Sequence, residues 1–430
     1  MRGSGVNILG LVTKTHDTGA AILSNGVIKG VMEEERFNRN KHSQLFPEHA
    51  LAAALDAAGL RLDDIDAIAT PWDVNALRRS FRQIVTANLP ASLNLLHPAA
   101  HSGQNSGVVF LRQRLAQGIR KRLGNRDIPI INVPHHDAHA AIYFASPFDE
   151  AAILVADGYG DVTATSTYFG AGNRITRDKG FSFFDSIGAF YSGVTTYLGF
   201  KLFEEGTVMA LAALGGPRYL ENFRKLVPLG PDGSFSFNPE YVSLQTHGLA
   251  RPFTAKFLAE FGPPRDPSAP LDQRHMDIAY ALQKLAEELV LHLVRDLERR
   301  TTSRNLCITG GVALNCVANA RILEETSFER VWVPPCASDT GAPLGAALFH
   351  YHQTLGRERT GELLHPFYGA EYSDAEVQAA LDEAGLTGKR LDDGELFERV
   401  AADLSEKKVV GWCQGRFEMG GLSVGELVEQ

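Results

Sequence analysis

Residues 128–139 read IPIINVPHHDAH. Ile128 to Val133 has the apolar character of a short buried strand, and Pro134 ends it. Proline suits the first turn of a following helix, because its φ is already helical and its missing N–H would be unpaired there anyway. His135 and His139 then fall four residues apart. On a helix this spacing places both imidazoles on one face, one turn apart, within reach of a shared divalent metal. The spacing alone is equally compatible with two surface or capping histidines. The place of the pair, just beyond a strand end, is where open α/β sheets bind their ligands.

On either side of this stretch one design occurs twice. In the first copy a strand over Val6–Thr13 ends at Thr15-His16-Asp17 and a second strand runs over Ala20–Leu23. Ser24-Asn25-Gly26 then makes a hairpin turn into Val27–Met32. In the second copy a strand over Ala152–Ala156 ends at Asp157, and Gly158–Asp161 turns into Thr163–Phe169. Gly172-Asn173 turns again into Arg174–Asp178. His16-Asp17 and Asp157 thus occupy the same place, the end of the first strand. The duplication predicts an α/β protein of two similar lobes facing each other across a cleft, the actin-like (ASKHA, tandem ribonuclease-H-like) architecture. Lobe 1 is expected over about residues 1–150 and lobe 2 over about 151–360.

Other segments follow from pattern. EEERFNRNK (33–41) reads as a solvated face or loop, and Pro47 opens a helix through Ala58. Phe81–Asn125 reads as mostly helical, with Arg112, Arg114, Arg120 and Arg122 between apolar positions that include Val108 and Leu111. That is either an RNA-facing surface or a solvated amphipathic helix, and the overall charge favours the second. Helices are expected over Phe190–Phe200, Val208–Leu214 and Met276–Arg300, with Gly230–Pro270 rich in loops. A strand over Leu306–Thr309 meets Gly310-Gly311 before a helix from Asn315, a junction where a phosphate can approach backbone N–H groups. Glycines at such a junction also serve close packing. Val331–Val333 leads to Asp339, a third acidic group at a strand end, and then to a helix over Ala342–His350. His365-Pro366 marks a boundary. Helices over Asp374–Ala384 and Leu396–Glu406 and a strand over Lys408–Cys413 follow.

The chain has 430 residues, 44% of them apolar and 22% charged, with a formal net charge of −9. Its length allows more than one core. The acidic balance disfavours a general nucleic-acid binder or a membrane-surface binder. Cys307, Cys316, Cys336 and Cys413 form no C-x-x-C pair and read as reduced thiols of a cytoplasmic protein. No apolar run approaches the ~18 residues of a membrane span, and no signal-peptide core is seen.

The segments HDTGAAILSNG, EEERFNRNKH, HHDAHAA, DGYGD, GVTTYLGF, EEGTVMALAALG, ITGGVALNCVANARI and CASDTGAPLGAAL occur in this order. In them the chain resembles the NodU/CmcH carbamoyltransferase family, which includes tobramycin and novobiocin O-carbamoyltransferases. The resemblance runs over about residues 6–420. It implies an actin-like transferase domain followed by a YrdC-like domain, which would begin near residue 361. It implies ATP and carbamoyl phosphate as substrates, a carbamoyl-adenylate made in the YrdC-like domain, and transfer of the carbamoyl group to a hydroxyl in the first domain. By the same resemblance His135, His139, Asp157 and Asp339 would ligate a divalent metal of the Fe(II) type. His16 would be the catalytic histidine. Gly310, Gly311 and Asn315 would hold the adenylate, with Glu205 and Gly206 nearby. The implied partner is a small-molecule hydroxyl acceptor of antibiotic or nodulation-factor type, and a homodimer is allowed.

Two departures from the family pattern stand out. Its EGK-x-M-GLA block reads here with Thr207 and Ala210, which removes a positive charge. Arg416 and Glu418 match the start of the YrdC-like domain, but GGLSVGELVEQ replaces the expected GPRALGNRS-type run, so most of that domain is expected to be missing. Two alternatives therefore stand beside the O-carbamoyltransferase: a tRNA threonylcarbamoyl-transferase-like enzyme, and a catalytically silent protein that binds metal and nucleotide.

Overall fold

The computed structural model describes residues 5–96, 115–124, 126–182 and 184–420. Two five-stranded sheets organise them. The first contains β1 (Asn7–Val12), β2 (Gly19–Ser24), β3 (Val27–Glu33), β4 (Ala67–Thr70) and β5 (Ile130–Asn132), in the order β3-β2-β1-β4-β5. The second contains β6 (Glu150–Ala156), β7 (Thr163–Ala171), β8 (Arg174–Ser182), β9 (Asn305–Thr309) and β10 (Arg330–Trp332), in the order β10-β9-β6-β7-β8. Read from the opposite edge, this is the same order. In each sheet the first strand pairs antiparallel with its hairpin neighbour and parallel with the fourth strand. The duplicated unit is the two-lobed, actin-like α/β architecture expected from the repeat. The hairpin turn works as read, since Asn25 and Gly26 both take positive φ (52° and 81°).

Two short helices lie between the sheets. The histidine helix, His135–Ala141, packs against the helix Ala342–Leu348. Gly345 allows their close approach, because a Cβ there would stand 2.0 Å from the Ala138 carbonyl oxygen. Ala138, Ile142, Leu344 and Ala347 join one core with Ile8 and Leu23 of the first sheet and Ile153 and Val155 of the second. Burial on this scale drives the lobes together. It also brings Asp339, at the entry to Ala342–Leu348, against the histidine helix. The longest helix, Gln273–Glu298, backs lobe 2 through its buried Leu282, Leu285, Leu289, Leu293 and Leu297. Asp272 accepts the His275 N–H at its start.

Two segments differ from the sequence reading. EEERFNRNK is not a solvated face: Glu34–Asn38 is helical, and Glu33 and Glu34 are buried. Partners stabilise that burial, with Glu34 held by His49 and the Ala50 N–H, and Glu33 by the Gly420 N–H. Lys408–Cys413 is not a strand, since no neighbouring strand offers it a ladder among the described residues. Gly230–Pro270 is rich in loops as read, and within it the helix Ala255–Phe261 places Phe257 and Phe261 in a lobe 2 aromatic cluster. Val108, Leu111, Arg112 and Arg114 lie outside the described residues. Arg122 belongs to the helix Leu115–Arg122 and pairs with Glu48 at 3.0 Å.

Beyond residue 360 the chain first straps onto lobe 1. The Val31 N–H donates to the Tyr368 carbonyl (2.9 Å), and Arg416 donates to the carbonyls of Lys29 and Tyr368. Between these contacts the helices Asp374–Glu383 and Asp393–Ser405 bury none of their residues.

Candidate functional site

Four side chains from three places converge where the lobes meet. His135 and His139 come from one face of the histidine helix, Asp157 from the end of β6, and Asp339 from the turn before Ala342–Leu348. All four are buried, and one ligand atom from each lies within 4.8 Å of the others. His139 Nε2 is 3.1 Å from Asp339 Oδ1 and 3.2 Å from His135 Nε2. His135 Nε2 is 3.1 Å from Asp157 Oδ2.

The donor set fits a metal ion. The His135 Nδ1–H donates to the Pro71 carbonyl at 3.1 Å, which leaves the Nε2 lone pair facing inward. His139 Nδ1 has no hydrogen-bond partner among the described atoms. Two inward lone pairs and two carboxylates concentrate negative potential that a divalent ion would compensate, and two imidazoles with two carboxylates suit a first-row metal. Without such an ion the carboxylates favour the protonated imidazoles. Burial opposes charge on them, yet the facing carboxylates outweigh it and raise both histidines above the usual imidazole range. Burial likewise pushes Asp157 and Asp339 up, and the same histidines pull both below the usual carboxylate range.

His16 stands beside this cluster, its Nε2 3.5 Å from Asp339 Oδ2. Its Nδ1–H donates to Asp17 Oδ2 at 2.8 Å, and Asp17 Oδ1 accepts from His42 Nδ1–H at 2.8 Å. Burial opposes protonation of His16, but Asp17, with Asp339 and Asp157, raises its pKa to about 9. Phe203 closes this group, its ring 4.0 Å from that of His42 and 4.9 Å from that of His16. Asp17, His42 and Phe203 all hold left-handed backbone (φ 57°, 52° and 71°). Strain of this kind collects where surrounding packing enforces a functional geometry.

Asp157 and Asp339 of the cluster, with His16, line a cleft of about 1690 Å³, while His135 and His139 are fully buried and do not line it. Glu205, Gly206, Gly311 and Asn315 line it, whereas Gly310 does not. Gly310 holds φ 90°, and a Cβ on it would stand 2.2 Å from the Ala156 carbonyl oxygen. The Gly311 N–H donates to Asp157 Oδ1 at 3.0 Å, which ties the glycine junction to the metal cluster. The Asn315 amide is occupied by the fold: Oδ1 caps the Ala318 N–H, and both ends pair with Gln283. Glu205 accepts from the Ser192 hydroxyl at 2.6 Å. Thr207 and Ala210 are exposed and do not line the cleft.

Sequence reasoning missed Trp72, whose ring stacks on His135 at 4.1 Å, and the pairing of Asp17 with His42. A Pro-Trp-Asp run just after a strand end was the available signal for the first.

Residues 7–348 match the family described as Carbamoyltransferase N-terminus. The chain belongs to this carbamoyltransferase family. It is 36% identical over 433 residues to the uncharacterized protein sll1178 of Synechocystis, covering 97% of this chain and 70% of that protein. It is 31% identical over 421 residues to the nodulation protein NolNO of Sinorhizobium fredii, covering 96% of this chain and 58% of that protein. Among solved structures it is similar to component A of the (R)-2-hydroxyglutaryl-CoA dehydratase of Acidaminococcus fermentans. That match has 12% identity and a TM-score of 0.41, and covers 82% of this chain and 100% of the other. Among the described residues, no helix of this family member is long and apolar enough to cross a membrane.

Proposed function

We propose that this chain carries the transfer site of an O-carbamoyltransferase. The carbamoyl group comes from a carbamoyl-adenylate, made from carbamoyl phosphate and ATP, and goes to a hydroxyl of a secondary metabolite of antibiotic or nodulation-factor type. The supporting observation is the Asp339 carboxylate, which lines the cleft and is shared between His16 and the His135–His139–Asp157 cluster.

The cluster would hold a first-row divalent ion, with Fe(II) our assignment. When bound it polarises the carbamoyl carbonyl and compensates phosphate charge. The acceptor hydroxyl lies against His16. A divalent ion in the cluster would offset the Asp339 and Asp157 charges that help to raise the His16 pKa, and the neutral ring's Nε2 then takes the hydroxyl proton as the oxygen attacks the carbamoyl carbon. Asp17 holds the opposite ring nitrogen as an N–H, so that Nε2 is the atom that accepts. The bond to the adenylate phosphate oxygen breaks, and AMP leaves. The glycine junction at Gly311, together with the cleft-lining Glu205 and Gly206, forms the wall that receives the nucleotide.

The test is transfer from preformed carbamoyl-adenylate to a panel of hydroxylated metabolites, with AMP release followed by phosphorus NMR. Acceptor-dependent release supports the reading. Hydrolysis that ignores every acceptor counts against it.

A further inference from the structure

Asp161 closes the DGYGD run that Asp157 opens, and the transfer proposed above makes no use of it. Its carboxylate is buried, at 2% exposure. It belongs to lobe 2, yet its Oδ2 accepts two backbone N–H groups of lobe 1, from His135 at 3.1 Å and from Asp73 at 2.9 Å. His135 is the first residue of its helix, and Pro134 before it supplies no side-chain cap. The His135 N–H is therefore one of the donors that a helix start leaves without an internal partner. Asp73 belongs to the loop that leaves β4. In that loop the Pro71 carbonyl receives the His135 Nδ1–H, and Trp72 stacks on the same ring with 20° between the planes.

One carboxylate oxygen thus holds both the backbone of His135 and the loop that orients its ring. Asp161 also shares its own loop with Asp157. The contact that anchors His135 therefore fixes it relative to the facing ligand, with His135 Nε2 3.1 Å from Asp157 Oδ2.

We propose that Asp161 is the positioning residue of the metal centre, a staple from lobe 2 that sets His135 Nε2 in register with Asp157. This rests on reading the four buried side chains as a metal centre. Groups that orient a metal ligand from behind are typically worth about 10- to 100-fold in metal affinity. Loss of this one would also free the loop that carries Trp72.

The experiment is titration of the full chain with Co²⁺, read by visible absorption, with melting of the metal-free protein measured in parallel. Asp161→Ala should bind Co²⁺ about 10- to 100-fold more weakly, with an altered band. Asp161→Asn, which keeps an acceptor oxygen, should fall between it and the wild type. If the alanine variant does not fold, the asparagine variant decides. Weakened binding in it supports the staple, and wild-type affinity and spectrum overturn it. A lower melting temperature with unchanged Co²⁺ affinity and spectrum in both variants also overturns it, leaving a purely structural residue. A wild-type chain that takes up no Co²⁺ overturns the metal reading itself, and the staple with it.

Discussion

The Nε2 atom of His16 stands 3.5 Å from Oδ2 of Asp339, while the other oxygen of that carboxylate lies 3.1 Å from Nε2 of His139. One side chain thus touches both the histidine assigned to proton transfer and the cluster assigned to the metal. His16→Asn should leave metal binding unchanged and slow carbamoyl transfer on the order of 100-fold, the usual scale of general-base catalysis. Metal analysis and transfer rates on one preparation check this. An unchanged rate would return His16 to a structural role.

The cluster should bind about one divalent ion per chain, as its two imidazoles and two carboxylates make a single ligand set. His139→Ala should lose it, because the remaining ligands leave one side of the site open. Elemental analysis of wild type and variant measures this, and equal metal in both would contradict the assignment.

The wall proposed to receive the nucleotide can be probed without disturbing the fold. A Cβ on Gly206 meets nothing within 4 Å, and Gly206 lines the cleft. Gly206→Val should therefore fold normally and bind adenylate at least ~10-fold more weakly, since it puts bulk where the ligand would lie. Gly310→Val is a poor probe. Its positive φ and the nearby Ala156 carbonyl predict a protein that folds badly. Calorimetry with a stable adenylate analogue, alongside melting curves, separates the two variants.

Much of this was legible in the sequence because the signals are local. The Asn25-Gly26 turn, the strand–turn–strand repeat and the spacing of His135 and His139 each lie within a few residues, so periodicity and turn chemistry reveal them. The convergence of Asp157 and Asp339 on the histidines was reachable through family resemblance, not through spacing, because Asp339 lies about 200 residues from His139. Asp161 was not legible, because its role depends on which loop of lobe 1 faces which loop of lobe 2. Trp72 left only the Pro-Trp-Asp run as a signal, because the His135 ring it stacks on lies far from it in the sequence of lobe 1. The burial of Glu33 and Glu34 in a charged run was hidden because their partners His49 and Gly420 come from elsewhere in the chain.

Glu33 offers a pH test away from the metal ligands. Burial, set against Arg36 and the Gly420 N–H, raises its pKa to about 7 from an ordinary value of 4.5. The folded state therefore holds this proton more tightly than the unfolded chain. The associated stability is present below about pH 4.5 and is lost as pH rises through about 7. Glu33→Gln removes the titration. Its stability relative to wild type should rise by on the order of 2 kcal/mol between pH 5 and pH 8. Denaturant melts of both proteins at the two pH values measure the difference, and a constant offset would contradict it.

The central claim is that the cluster and His16 act together in carbamoyl transfer. Its most direct test mixes Fe(II)-loaded chain with preformed carbamoyl-adenylate and a panel of hydroxyl acceptors, and follows AMP and the carbamoylated product together. The account predicts AMP release that requires an acceptor, matches product one for one, is lost in His139→Ala and falls on the order of 100-fold in His16→Asn. Equal AMP release by the wild type and both variants, with no carbamoylated product, would contradict it.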